Sequence, residues 1–138
     1  MGKIRRLPIR SVILDASAVT LAAEERSRVR SVLRRWQDDG ADMYVTAATL
    51  AEVIRGHQRE TFIHRLLDSL NVQVVDQHVG RAAGERIGRT RTRGNVTLDA
   101  IVAEVASSLP RPVAVLTADI KDLSVLVDPD VMVLDIAA

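Results

Sequence analysis

Cysteine is missing from all 138 residues. This excludes a disulfide scaffold and any thiolate-ligated zinc or iron–sulfur centre, and makes a reducing, cytoplasmic setting the expectation. Aromatic residues are almost as scarce: Trp36, Tyr44 and Phe62 are the full set, too few for the stacking platforms on which single-strand binders and RRM modules lay out bases. No apolar run approaches the roughly 20 residues of a bilayer span. The opening MGKIRRLPIR is interrupted by Arg5, Arg6 and Arg10 and does not read as a signal peptide, so no membrane partner is expected. Neither charge sign dominates, with 19 Lys and Arg against 18 Asp and Glu. What matters for a nucleic-acid partner is whether those charges are segregated.

The length fits one domain, read as a basic extension over residues 1–10 and a folded unit over 11–138. Short β-branched runs occur at 11–15 (SVILD), Met43–Val45, Val72–Val75, Val113–Leu116 and Val131–Leu134. They are apolar throughout rather than alternating, as strands covered on both faces are. Helical patterns lie between them. Val29, Val32, Leu33 and Trp36 repeat at i, i+3, i+4, i+7 within a helix predicted over Ala22–Asp39 and stopped by Gly40. Leu50, Val53 and Ile54 mark a helix starting near Thr46, Phe62 to Leu70 another, and Leu98 to Val105 a later one ended by Pro110. Strands alternating with helices predict an α/β fold, an α/β/α sandwich on a mainly parallel five-stranded sheet, because parallel pairing requires crossovers of a dozen or more residues.

In such a sheet the chain leaves every strand at one edge, so residues at strand ends and following helix starts converge on one crevice. Asp15 ends the first strand, Asp119 follows the fourth, and Asp122 lies one helical turn further. Glu52 sits about two turns into the helix from Thr46, and Asp99 in the first turn of the helix from Thr97. Each acid also has an ordinary reading: helix N-terminal charge for Asp99 and Asp122, an N-cap for Asp119, a turn for Asp15, a solvated helix face for Glu52. Together they are harder to dismiss. Carboxylates about 6 Å apart repel by roughly 3 kcal/mol per pair at an effective dielectric of about 20, so four would oppose much of the roughly 5–15 kcal/mol that holds a domain folded. Raised pKa values relieve this, and so does a hard divalent cation; oxygen-only ligation selects magnesium or manganese. Such a cation activates water and neutralises phosphoryl charge, which implies a phosphodiester substrate. Ser17 and Thr117 place hydroxyls beside the acids as supporting groups.

The segments VILDASAV with Asp15 and Ser17, TAATLAEV with Glu52, TLDAIVAEVA with Asp99, and VLTAD with Thr117 and Asp119 resemble, in order and separation, the four acidic motifs of the PIN-domain nucleases. The small single-domain form resembles the VapC toxins of type II toxin–antitoxin pairs. The resemblance runs from about residue 11 onward and rests on the ordered set, since an aspartate after an apolar strand is common. It implies a magnesium-dependent endoribonuclease that leaves 5′-phosphate and 3′-hydroxyl ends. It also implies a homodimer, silenced by a cognate antitoxin whose C-terminal segment covers the acidic site. Asp15, Glu52, Asp99 and Asp119 take the metal-binding roles, with Asp122 as a further acid that varies in the family. The extension from Gly2 to Arg10 lies outside the pattern.

Arg81, Arg86, Arg89, Arg91 and Arg93 precede the Asp99 helix with only Glu85 among them. A solvated helix face is one reading; the other is that Arg86, Arg89, Arg91 and Arg93 bind RNA phosphates that the acids would repel. Gly80, Gly84 and Gly88 give the same helix a bare stripe that would admit another helix, from this chain or a dimer partner. His57, His64 and His78 lack metal-ligand spacing. Two rivals come from other classes. A phosphoacceptor signalling module needs an acidic pair at the first strand end, where Asp15 is followed by Ala16 and Ser17, and a phosphatase of the DxD type would need an aspartate in place of Ser17. A non-catalytic PIN-like RNA- or protein-binding domain would not need all four acids.

Overall fold

The computed structural model describes residues 8–24, 28–57 and 60–136. Five strands, β1 (Ser11–Leu14), β2 (Asp42–Thr46), β3 (Asn71–Gln73), β4 (Val113–Thr117) and β5 (Met132–Asp135), form one sheet in the order β3-β2-β1-β4-β5. Every pair is parallel. The helices are α1 (Ala16–Ala23), α2 (Arg28–Asp38), α3 (Ala47–Val53), α4 (Thr61–Asp68), α5 (Gln77–Thr90), α6 (Thr97–Ser108) and α7 (Ile120–Leu126).

The pleat of the central strands divides the core in two. Val12 and Leu14 point into a cluster with Ala18, Val19, Leu33 and Leu67, whereas Ile13 joins Val113, Val115, Ala103 and Leu123 on the opposite face. Helices α1 to α4 therefore cover one side of the sheet and α5 to α7 the other, giving the three-layer sandwich that the alternation of elements predicts. Strands β1 and β4 are buried along their whole length, as their unbroken apolar runs require.

The edges differ from the sequence reading. Strand β3 is only Asn71–Gln73 and not Val72–Val75: Val72 is 44% and Val74 75% exposed, because an edge strand has one neighbour and no full cover. The helix predicted over Ala22–Asp39 is α2, which begins later than predicted, and a separate helix, α1, precedes it. Helix α1 ends at Ala23, and α2 starts at Arg28, with residues 25–27 outside those described. Val32 faces outward at 42% exposure while Val29 and Leu33 are buried. Gly40, at φ +96, closes the end of α2.

Most of the basic extension lies outside the described residues. Of its last residues, Ile9 packs against the core and the Arg10 N–H donates to the Pro112 carbonyl at 2.9 Å. No helix among the described residues is long and apolar enough to cross a membrane.

Candidate active site

Parallel register sets Leu14 beside Leu116, so the residues that follow β1 and β4 meet at the same edge of the sheet. Asp15 is buried there and caps α1. Its Oδ1 accepts the Ala18 N–H at 2.9 Å and the Ser17 hydroxyl at 2.6 Å, and its Oδ2 accepts the Thr117 hydroxyl at 2.5 Å. The seam is closed from the other strand: the Ala118 N–H donates to Ser17 Oγ at 2.8 Å and the Asp119 N–H to Thr117 Oγ1 at 3.0 Å. Ser17 and Thr117 thus hold Asp15 in one orientation and tie the two strand ends together.

Three further elements bring their acids to this seam. Asp119 caps α7, with Oδ1 accepting the Lys121 N–H at 3.2 Å, and Asp122 follows in the first turn of that helix. Thr46 caps α3 through the Thr49 N–H at 3.1 Å, and α3 carries Glu52 near its end. Asp99 lies in the first turn of α6. Burial, reinforced by the charges of Asp15, Asp122, Glu52 and Asp119, pushes the Asp99 carboxyl up to about 6. The Glu52 carboxyl is also raised, first by burial and then by Asp15, against an opposing pull from Arg55. The other four predicted acids therefore all act on Asp99, and Asp15 acts on Glu52 as well. They do not form a ready cage: no three His, Cys, Asp or Glu side chains among the described residues are arranged to hold a metal ion as they stand. The donor chemistry still fits a hard cation, being all oxygen and strongly anionic.

The sequence matches the PIN domain family over residues 12–124. The chain belongs to the PIN-domain family. Its fold is similar to that of VapBC2 from Rickettsia felis bound to a promoter DNA fragment, with a TM-score of 0.70 at 14% identity, covering 91% of this chain and 98% of that one. VapBC-1 from nontypeable Haemophilus influenzae gives 0.67 at 18% identity, with coverage of 93% and 99%. FitAcB from Neisseria gonorrhoeae gives 0.64 at 18% identity, with coverage of 90% and 96%. No curated protein matches the chain significantly.

One predicted RNA contact of this PIN domain is corrected. Arg86 is 5% exposed; it donates to Glu104 at 2.8 and 3.1 Å, to Asp128 at 2.7 Å and to the Leu126 carbonyl at 2.9 Å. It locks α5 to α6 and to the end of α7, because a buried guanidinium needs acceptors from every side. Arg89, Arg91 and Arg93 are exposed, and the last two lie on the turn leading into the Asp99 helix. Gly80, Gly84 and Gly88 face outward: a Cβ on any of them would meet nothing within 4 Å among the described residues, so no described helix of this chain packs on that stripe. The three histidines are exposed.

Sequence reasoning missed Arg55 and Glu60 of the PIN domain. Glu60 is buried, and its carboxylate accepts the N–H groups of Arg55 at 2.7 Å and Gly56 at 3.2 Å. The only signal was a glycine followed four residues later by an acid, which a surface turn produces equally well.

Proposed function

We propose that this PIN domain is a VapC-like toxin, a magnesium-dependent endoribonuclease acting in the cytoplasm and neutralised by a cognate antitoxin. The observation that carries the reading is the seam beyond the ends of β1 and β4, where Ser17 and Thr117 fix Asp15 beside Asp119 and where Asp99, Glu52 and Asp122 arrive from α6, α3 and α7. Asp15, Glu52, Asp99 and Asp119, with Asp122 beside them, are the residues that would hold magnesium or manganese, which when bound supplies a water of lowered pKa and neutralises charge on a phosphoryl oxygen. The chain's own part is to fix Asp15 between two hydroxyls and to keep the acids close despite their repulsion. Arg89, Arg91 and Arg93 then offer exposed cations to the RNA backbone, without which an anionic site would repel its substrate.

The partner is supported by a groove of about 310 Å³ between α2 and α4, where Arg30, Arg34 and Arg65 stand among Leu33, Phe62 and Leu66. Apolar floor and basic rim suit an acidic amphipathic segment, and Arg30 lies 5.6 Å over the Phe62 ring. Leu33 is buried in the core below, so Arg34→Glu is the cleaner probe: it should abolish rescue by the antitoxin while leaving toxicity intact.

Purified protein incubated with labelled RNA and magnesium should release fragments with 5′-phosphate and 3′-hydroxyl ends, and Asp15→Asn or Asp99→Asn should abolish release while the protein stays folded. Undiminished cleavage by either variant would falsify the assignment. The signalling rival requires a stable phosphoryl adduct after incubation with acetyl phosphate, which intact-mass measurement should not find. The homodimer implied by the family is checked by light scattering.

A further inference from the structure

Beside the acids, a cavity of about 670 Å³ opens between α1, α3 and α4, lined by Thr20, Glu52, Arg55, His57, Glu60 and Ile63. Its size lies within the roughly 300–1,000 Å³ of small-ligand sites, and Glu52 belongs both to it and to the acidic seam. Its far wall is built rather than loose. The buried Glu60 carboxylate accepts the Arg55 and Gly56 amides just past the end of α3, where Gly56 takes φ +77, a backbone that a side chain at that position would strain.

The Arg55 guanidinium is also placed. Nη1 donates to the Ala51 carbonyl at 2.8 Å and the Ile54 carbonyl at 3.0 Å, and Nε and Nη2 make no hydrogen bond among the described residues. A positioned cation with donors on offer, next to a carboxylate wall, is the arrangement that admits a phosphate to an otherwise repelling cleft, since the guanidinium fork matches phosphate oxygens in pairs. His57 stands exposed at the same mouth, with an imidazole able to stack on a base and to hydrogen-bond its edge.

We propose that this cavity is the subsite for the nucleotide flanking the scissile phosphate, with Arg55 gripping that nucleotide's backbone phosphate and His57 reading its base. The inference deepens the nuclease reading and rests on it. Arg55 and His57 bind and select; neither touches the reacting bond.

The test separates binding from cutting. In an Asp99→Asn background, a fluorescent single-stranded RNA should bind about tenfold more weakly after Arg55→Gln, and the slope of log affinity on log salt should fall by about 0.7, the share of one phosphate contact on a single strand. Arg10→Gln, at the opposite edge of the sheet, should change neither. Arg55→Lys should restore the salt slope without restoring the full affinity, which separates a lost contact from a disturbed α3. In the cleaving protein, His57→Ala should change the base preferred at one position next to the cut. Equal losses from Arg55→Gln and Arg10→Gln would mean a diffuse charge effect and overturn the subsite. So would unchanged affinity in Arg55→Gln together with an unchanged cleavage profile in His57→Ala, and both outcomes leave the nuclease reading standing. A wild-type chain that cuts no RNA overturns that reading itself.

Discussion

Asp99 occupies a first helical turn, where the macrodipole ordinarily favours an anion, yet burial and four other carboxylates hold its pKa up at about 6 against an ordinary 3.8. The folded chain therefore binds that proton more tightly than the unfolded one. The resulting penalty is absent below about pH 3.8, grows across the interval and is complete above about pH 6. Asp99→Asn should accordingly stabilise the fold by about 1 kcal/mol at pH 7.5, allowing for solvent screening of a half-buried group. The gain should disappear at pH 3.5, as read from urea midpoints at the two pH values. Arg86 makes the opposite case. Its removal leaves Glu104 without its cation and Asp128 with Arg111 alone, so Arg86→Ala should cost about 3 kcal/mol, whereas Arg89→Ala, on the exposed face of the same helix, should stay within about 0.5 kcal/mol. Equal losses would show that Arg86 is not the anchor of α5.

Among the elements, the joint between α3 and α4 depends on one carboxylate. Burial raises the pKa of Glu60, but the hydrogen bonds from Arg55, His57 and Gly56 outweigh it and leave the net shift downward. The tie is therefore present above the ordinary carboxylate range and lost as the pH falls through the lowered value. Glu60→Gln should speed amide exchange at Arg55 and Gly56 severalfold while leaving the amides of β1 and β4 protected; slow exchange at both positions would show that these amides are held without the Glu60 carboxylate.

The same scale explains what could be read in advance. Strands β1 and β4 were legible because they are buried on both faces, which writes an unbroken apolar run, and the capping residues Thr46 and Asp119 stood where their helices begin. The strand edge of the sheet placed the acids without any knowledge of their side-chain partners. The eight-residue α1 went unread because Ala16, Ala18, Ala22 and Ala23 give almost no periodic contrast. Arg86 was misplaced for a different reason: an arginine bound for a buried ion pair and one bound for solvent look alike until Glu104 and Asp128, far along the chain, are known to face it. Glu60 was silent on the same ground, since its partners are backbone amides.

For the molecule as a whole, the acids set a balance between folding and charge that a cation would shift. A ligand bound only by the folded state at a hundredfold above its Kd adds about 2.7 kcal/mol, so millimolar magnesium should raise the melting temperature of the wild-type protein by several degrees. It should do little for Asp15→Asn. A melting temperature indifferent to magnesium and manganese would remove the metal from the reading.

The position of β1 also bears on synthesis. It is the first strand made, yet it lies in the middle of the sheet and pairs with β4, whose residues emerge about a hundred positions later. While it is being translated, the chain holds Asp15 with neither Thr117 nor Asp119 to meet it. On the proposed nuclease reading, a nascent chain built this way cannot assemble its acidic seam until β4 and Asp119 have left the exit tunnel.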